Sequence, residues 1–416
     1  MSQTIFLACH KDGKFKSEVI KYIVNKLTTY KKLKLDYKVR GLLYNSFDDL
    51  QELLKIDKNK KKCNVIIFLQ VPNFSIKQLL FLKKNIFTFA LFEDVTEHYN
   101  TFYKFTQFFY DGLFIESGYR DFFEVYGKPV YNGEIFQHDI KLLDDKVKYE
   151  SLIPFSKRLY DFSFIGRFDR NDRNEVINQL KERFENIYFH DSSQGFISNQ
   201  KLKYIIRNTK YLLNSTSIQQ KNSYGFKQFP ESLQLQAKSR FIEYAANGCI
   251  LFSEVLPINT LPTLVKNIKI PVVEIPRGVN KANYCLEYLK KNKNNIQKIS
   301  RKTFESVYES YMPNNINLEL SKMLNEILNS PSKYSNYNFS NYQWNLLKNS
   351  YLQFYIFSNI KNILKMELSN ISKLIKLIHF INSLIKENSL FEIAFLLIKI
   401  SFVNVIKVIK KSFFYK

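Results

Sequence analysis

Short, uninterrupted apolar runs, separated by longer amphipathic stretches, constrain this chain more than any other feature. The run VIIFLQ at 65–70 and the run CILFS at 249–253 show no alternation of apolar and polar residues. A strand that is apolar on both faces must be covered on both faces, which is the situation of a parallel sheet between layers of helices. Runs of this kind predict strands at 4–9, 37–42, 64–70, 87–92, 111–115 and 129–131. Helix-like patterns fall between or after them, at 15–30, 47–54, 76–84, 97–109 and 119–126. Strand and helix in alternation predict a doubly wound α/β domain.

The pattern then starts again. After a polar stretch at 141–157, strands are expected at 161–165, 186–189, 211–214, 249–253 and 272–275. Helices are expected at 174–184, 199–207 and 235–246, followed by a helical run over 281–328. A chain of 416 residues exceeds one ordinary core and accommodates two such domains with an extension. We therefore divide it into an N-terminal Rossmann-like domain (1–150), a C-terminal Rossmann-like domain (151–330) and a basic helical extension (331–416). The segment SPSKYSNYNFSNY at 330–342 has the composition of a linker, with helical patterns beyond it at 343–365 and 369–386.

The formal charge is +24, from 62 basic against 38 acidic side chains, and attracts anions: nucleotides, nucleic acid or an acidic membrane surface. The abundance of Lys, Asn, Ile, Phe and Tyr together reflects a compositional bias that accounts for part of this surplus, so charge alone selects no partner. The four cysteines, Cys9, Cys63, Cys249 and Cys285, have neither paired nor metal-type spacing. A reducing, cytoplasmic setting is expected. The apolar run near the start is too short for a signal peptide and reads as the first strand.

Open α/β sheets bind ligands at the carboxyl ends of their strands. The second domain opens with YDFSFIGRFDRNDR, a strand ending in Gly166, where backbone can approach a ligand, followed by Arg167. Arg170 and Arg173 come next, before a helix for which Asn171 or Asp172 would be the cap. Guanidinium groups near a helix N-terminus suit a diphosphate, although Arg170 and Arg173 equally suit a solvated loop. In KSRFIEYAANGCILFSE, at 238–254, Phe241, Ile242, Ala245 and Ala246 place one helix face on a sheet. Gly248 would end that helix in a left-handed turn. Lys238 and Arg240, near the helix start, could meet phosphate. Glu243 could bind ribose hydroxyls as acidic residues do in nucleotide-binding Rossmann domains, though a lone helical Glu is more often merely solvated.

In order and spacing, the strand ending in Gly166-Arg167, then YLLNSTS, then RxxEYAAxGCILxSE, then ISRKTFESVYESYM resemble the C-terminal half of GT-B glycosyltransferases. The CgeB-like group, within the broader family-1 and family-4 type, is the nearest pattern, over about 161–328. The resemblance implies two Rossmann-like domains facing a crevice, and a nucleotide-sugar donor as co-substrate rather than a tightly bound cofactor. It also implies diphosphate contacts from Arg167 and from Lys238 or Arg240, a ribose contact from Glu243, and a donor-binding site that takes in Gly166 and Gly248. Retaining family-4 enzymes carry a further Glu eight residues earlier; that position here is Leu235, so the stereochemical outcome does not carry over.

In the first domain, FALFEDVTEHYNTF resembles the group's strand, acidic residue and helix at the crevice edge. Glu93, Asp94, Glu97 and His98 cluster where the sheet's carboxyl end should lie, with Asp94 and His98 as candidates for the general base that an acceptor hydroxyl needs, and His10, in the turn after the first strand, as a further candidate. Asp94 is equally placed to cap a helix with Glu97 as its partner. His138 is a weaker candidate. No Walker loop, GxGxxG, HExxH or GxSxG occurs, and no DxD-type motif marks a metal site, so metal-independent transfer is expected, with cationic groups and helix amides on the leaving diphosphate.

From Pro331 onward the chain has 12 lysines, no arginine and three acidic residues. The stretch 390–409 is apolar but interrupted by Glu392, Lys399, Asn404 and Lys407, which argues against a spanning helix, and Lys407, Lys410, Lys411 and Lys416 crowd the end of 390–416. It would pack on the body as core or lie on an anionic membrane surface. The expected activity is transfer of a sugar to a glycan or lipid-linked acceptor in bacterial surface polysaccharide synthesis, at the inner face of the cytoplasmic membrane. The alternatives are a basic nucleic-acid-binding protein, disfavoured because Tyr and Phe fall at core-like positions, and a non-catalytic domain of the same fold.

Overall fold

The computed structural model describes residues 3–55, 64–93, 106–115, 129–136, 148–166, 171–191, 194–195, 197–214, 240–254, 270–276, 278–329, 356, 359–360, 363 and 369–387. Six parallel strands form a first sheet: β1 (Thr4–His10), β2 (Lys38–Tyr44), β3 (Val65–Phe68), β4 (Phe87–Phe92), β5 (Gly112–Ile115) and β6 (Val130–Asn132). Their order is β2-β1-β3-β4-β5-β6. A second sheet, also parallel throughout, comprises β7 (Tyr160–Gly166), β8 (Ile187–Asp191), β9 (Thr209–Asn214), β10 (Ile250–Glu254) and β11 (Val272–Ile275), in the order β11-β10-β9-β7-β8. Both sheets are doubly wound, as the apolar runs require: β3 and β4 are buried at every position.

In the first domain the helices are α1 (Lys14–Thr29), α2 (Phe47–Leu54) and α3 (Ile76–Asn85). Ser46 caps α2 by accepting from the Asp49 amide, and Ser75 with Gln78 forms a capping box on α3. The second domain contributes α4 (Asn171–Arg183), α5 (Asn199–Arg207), α6 (Arg240–Ala245), α7 (Lys281–Lys291), α8 (Ile296–Ser310) and α9 (Pro313–Asn329). Beyond them lies α10 (Asn370–Glu387).

Four expectations are modified. The helical run over 281–328 divides into three helices, because the chain turns at Asn292–Asn295 and again at Tyr311, and Pro313 can open a helix but not continue one. Helix α4 begins at Asn171, so Asn171 and Asp172 belong to its first turn and do not precede it as caps. Of the helix expected at 97–109, Thr106 is helical and Gln107–Phe109 form a 3-10 turn, while 97–105 lie outside the described residues. The helix expected at 119–126 also lies outside them.

The fourth concerns the domain boundary. Helix α9 follows the second domain in sequence but packs on the first. Tyr37 donates its hydroxyl to Asn317 Oδ1 at 2.5 Å, Tyr131 donates to Glu326 Oε2 at 2.5 Å, and the Asn132 amide donates to Glu319 Oε1 at 3.2 Å. Ile316, Leu320, Met323, Leu324 and Ile327 enter a continuous apolar core. That core takes in one face of the first sheet (Ile5, Leu7, Ile67, Phe89), Val307 of α8, and one face of the second sheet (Leu212, Leu251) with Ile242 of α6. The opposite faces have separate cores under α2 and α3, and under α4 and α7.

Candidate functional site

Strand order locates the crevices. In the first sheet the chain passes from β1 to β2 on one side and returns to β3 on the other, so the crevice opens between the carboxyl ends of β1 and β3. In the second sheet the same reversal falls between β7 and β9. His10 is the last residue of β1, and Gly166 the last of β7; both stand at these switch points.

At the first crevice, the His10–Gly13 turn is tied to the turn after β2. The Lys11 amide donates to the Tyr44 carbonyl at 2.9 Å and the Gly13 amide to the His10 carbonyl at 2.9 Å. A Cβ on Gly13 would lie 3.0 Å from Gln70 Oε1 and 3.1 Å from the His10 carbonyl, so the turn and the segment after β3 approach closely. His10 Nε2 lies 3.0 Å from the Asn45 carbonyl, and Nδ1 accepts from the Asp12 amide at 3.2 Å. A carbonyl only accepts and an amide only donates, so this pair of contacts fits the neutral tautomer with its proton on Nε2. Protonation at Nδ1 would lose the amide contact and gain the Asp12 carboxylate at 3.4 Å. As a base, the ring must therefore leave one of its present contacts.

Beside it, Lys16 in the first turn of α1 is 7% exposed, pairs with Glu93 immediately after β4, and donates to the Phe136 carbonyl at 3.3 Å. A cation in the first helical turn opposes the helix dipole, and a buried one requires a counter-charge. Glu93 supplies it while 36% of its side chain remains exposed at the carboxyl edge. Burial pushes the Cys9 thiol up to about 11, with the Lys16 ammonium acting in the other direction. The sequence pattern places Glu93 in the acidic cluster at this edge but carries no sign of Lys16, because the two partners stand 77 residues apart and only the sheet joins them.

At the second crevice, Gly166 is buried and α4 starts five residues later, which directs its N-terminus to the carboxyl edge. Asn214, ending β9, donates to Ser253 Oγ of β10 at 3.1 Å, and both are buried. Helix α6 is anchored by Tyr244, whose hydroxyl shares a 2.6 Å hydrogen bond with Ser163 of β7. Glu243, the next residue back, is half-buried on the flank of this helix. Arg240 opens α6, on the side nearer the carboxyl edge, since α6 runs antiparallel to the strands it connects.

Gly248 stands elsewhere. It has φ +66°, so the left-handed helix stop expected there is present. The turn closes with Gly248 N–H to the Ala245 carbonyl at 2.8 Å and Cys249 N–H to the Tyr244 carbonyl at 3.0 Å. It is buried before the first residue of β10, at the amino end of the sheet, where a Cβ would meet Ser300 and Tyr149 at 3.0 and 3.1 Å. Its grouping with the donor residues is therefore corrected: Gly248 terminates a helix and does not line the carboxyl edge. Asp94, His98, Arg167 and Lys238, with His138 and Arg170, lie outside the described residues, as do the side chains of Arg173 and Arg240. Among the described residues no cluster of His, Cys, Asp or Glu could hold a metal ion.

No family model matches the chain, and no curated protein does. Among solved structures it is similar to a glycosyltransferase from Rickettsia africae ESF-5, with TM-score 0.47 and 11% identity over 79% of this chain and 99% of that one. It is also similar to Anabaena Alr3699/HepE in complex with UDP and glucose, with TM-score 0.43 and 11% identity over 78% and 100% of the two chains. A third is the lipopolysaccharide outer core galactosyltransferase WaaB in its apo form, with TM-score 0.43 and 12% identity over 77% and 99%. At such identities no residue role is transferable.

Proposed function

We propose that this protein is a glycosyltransferase that takes a sugar from a nucleotide-sugar donor to a glycan or lipid-linked acceptor. The observation that carries this reading is the pair of doubly wound domains, each with chemistry-bearing residues at its own switch point. Such a pair suits a donor on one side and an acceptor on the other. The donor's diphosphate would lie at Gly166 and the N-terminus of α4, with Arg167, Lys238 and Arg240 supplying charge and Glu243 the ribose contact. Cationic side chains and free helix amides would stabilise the departing nucleoside diphosphate without a metal. On the acceptor side His10, Asp94 and His98 are the candidate bases, and Glu93 with its Lys16 partner adds a fixed carboxylate at the same edge. Bacterial surface polysaccharide synthesis, with the basic stretch 390–416 on the inner face of the cytoplasmic membrane, agrees with this chemistry.

A thermal-shift screen against UDP-, GDP-, CMP- and dTDP-sugars tests the reading. One donor class is expected to raise the melting temperature with saturation, because a ligand that binds only the folded state stabilises it. A flat response to all four, with a salt-dependent response to single-stranded nucleic acid, would replace the proposal by the nucleic-acid reading.

A further inference from the structure

Helix α10 carries an apolar face that the two catalytic-type domains do not use. Ile371, Leu374, Ile375 and Ile378 recur at helical spacing and are between 49% and 72% exposed. Leu377, Phe380 and Ile381, on the adjoining arc, are half-buried. The opposite arc is polar and basic, with Ser372, Lys376 and His379, while Lys373 falls on the half-buried arc between Phe380 and Leu377. Lysines at this frequency do not suit a spanning segment, and among the described residues no helix is long and apolar enough to cross a membrane. Four large apolar side chains in one exposed stripe nevertheless exceed what scattered surface residues present.

We infer that α10 is an interfacial anchor that lies in the surface of an anionic lipid bilayer, with Ile371, Leu374, Ile375 and Ile378 inserted among the acyl chains. Charge selects this occupant. The whole chain carries +24, and a second copy would bring like charge against like charge across the stripe. An acidic lipid surface attracts it, and the apolar arc then supplies short-range affinity. The inference deepens the membrane reading of the extension by naming the element. It does not depend on transfer activity, so failure of one leaves the other testable.

The test is co-sedimentation of the full chain with vesicles of pure phosphatidylcholine and with vesicles containing phosphatidylglycerol. The wild-type protein is expected to pellet with the anionic vesicles only. Leu374→Ser with Ile378→Ser should lower the partition by about tenfold, since insertion scales with buried apolar area. The melting temperature should hold, because both side chains are exposed. Lys373→Gln with Lys376→Gln should weaken binding and reduce its salt dependence without removing it. Absence of binding to anionic vesicles overturns the inference. So does unchanged binding of the Leu374→Ser/Ile378→Ser variant, which would place lipid contact at 388–416. Conversion of a dimer to a monomer by that variant, seen in light scattering with no loss of lipid binding, would make the stripe a contact between copies instead.

Discussion

Arg158 is 4% exposed, and its described partners are all uncharged. Its guanidinium donates to the carbonyls of Ile153 at 3.2 Å, Thr209 at 3.0 Å and Asn247 at 2.7 Å, and lies over the Phe155 ring. The Asn247 carbonyl belongs to the end of α6, where the helix dipole favours a cation. Arg158→Met should cost about 2–4 kcal/mol, because it strands buried acceptors, as read by denaturant unfolding; a cost near zero would show that the carbonyls find other partners. A second residue-scale expectation concerns alkali. Burial pushes the Cys9 and Cys249 thiols from 9.0 to about 11, and the Tyr37 and Tyr211 phenols from 10.0 to about 12. These groups ionise more readily in the unfolded chain, so their stabilising effect is intact below pH 9 and is lost between about pH 9 and 12. The melting temperature should fall across that window and not between pH 7 and 8.5. Thiol reagents at pH 8 should reach Cys9, Cys249 and Cys285 only on unfolding, since all three are buried.

At the scale of elements, Gly248→Ala tests the stop that joins α6 to β10. The positive φ and the close approach of Ser300 and Tyr149 should together cost about 1–3 kcal/mol; a neutral substitution would mean that the turn relaxes freely. Most elements were legible because their period is local: the strand at 87–92 and the helices at 47–54 and 199–207 coincide with β4, α2 and α5. The breaks in 281–328 were not, since Asn292 and Tyr311 stay compatible with a continuing helical pattern until packing decides. The strand ends that frame the candidate site, at His10 and Gly166, were legible. Contacts between partners distant in sequence were not, as in Lys16 with Glu93 at the first crevice, or Arg158 with Asn247 in the core. Gly248 was read correctly as a helix stop and incorrectly as a ligand contact, because sequence marks the turn but not the end of the sheet on which it falls.

At the scale of the molecule, α9 makes one core out of two domains. Leu320 is fully buried in the cluster that joins them, so Leu320→Ala should cost about 2–5 kcal/mol. The wild type is expected to unfold in a single thermal transition, which the substitution should broaden or split; a loss of stability with an unchanged single transition would mean that α9 does not couple the domains. The same linkage gives the second domain a fixed relation to the first, on which the proposed transfer would depend. On the proposed reading, the carboxyl edge of the second sheet holds a nucleoside diphosphate. Isothermal titration of the full chain with UDP, GDP and dTDP, alongside the Arg167→Ala and Glu243→Ala variants, reads this out. Saturable binding of one nucleotide is expected, weakened about tenfold or more in each variant through loss of a charge-assisted contact, with melting temperatures unchanged. Equal affinity in both variants and the wild type, or no binding of any of the three, would refute it.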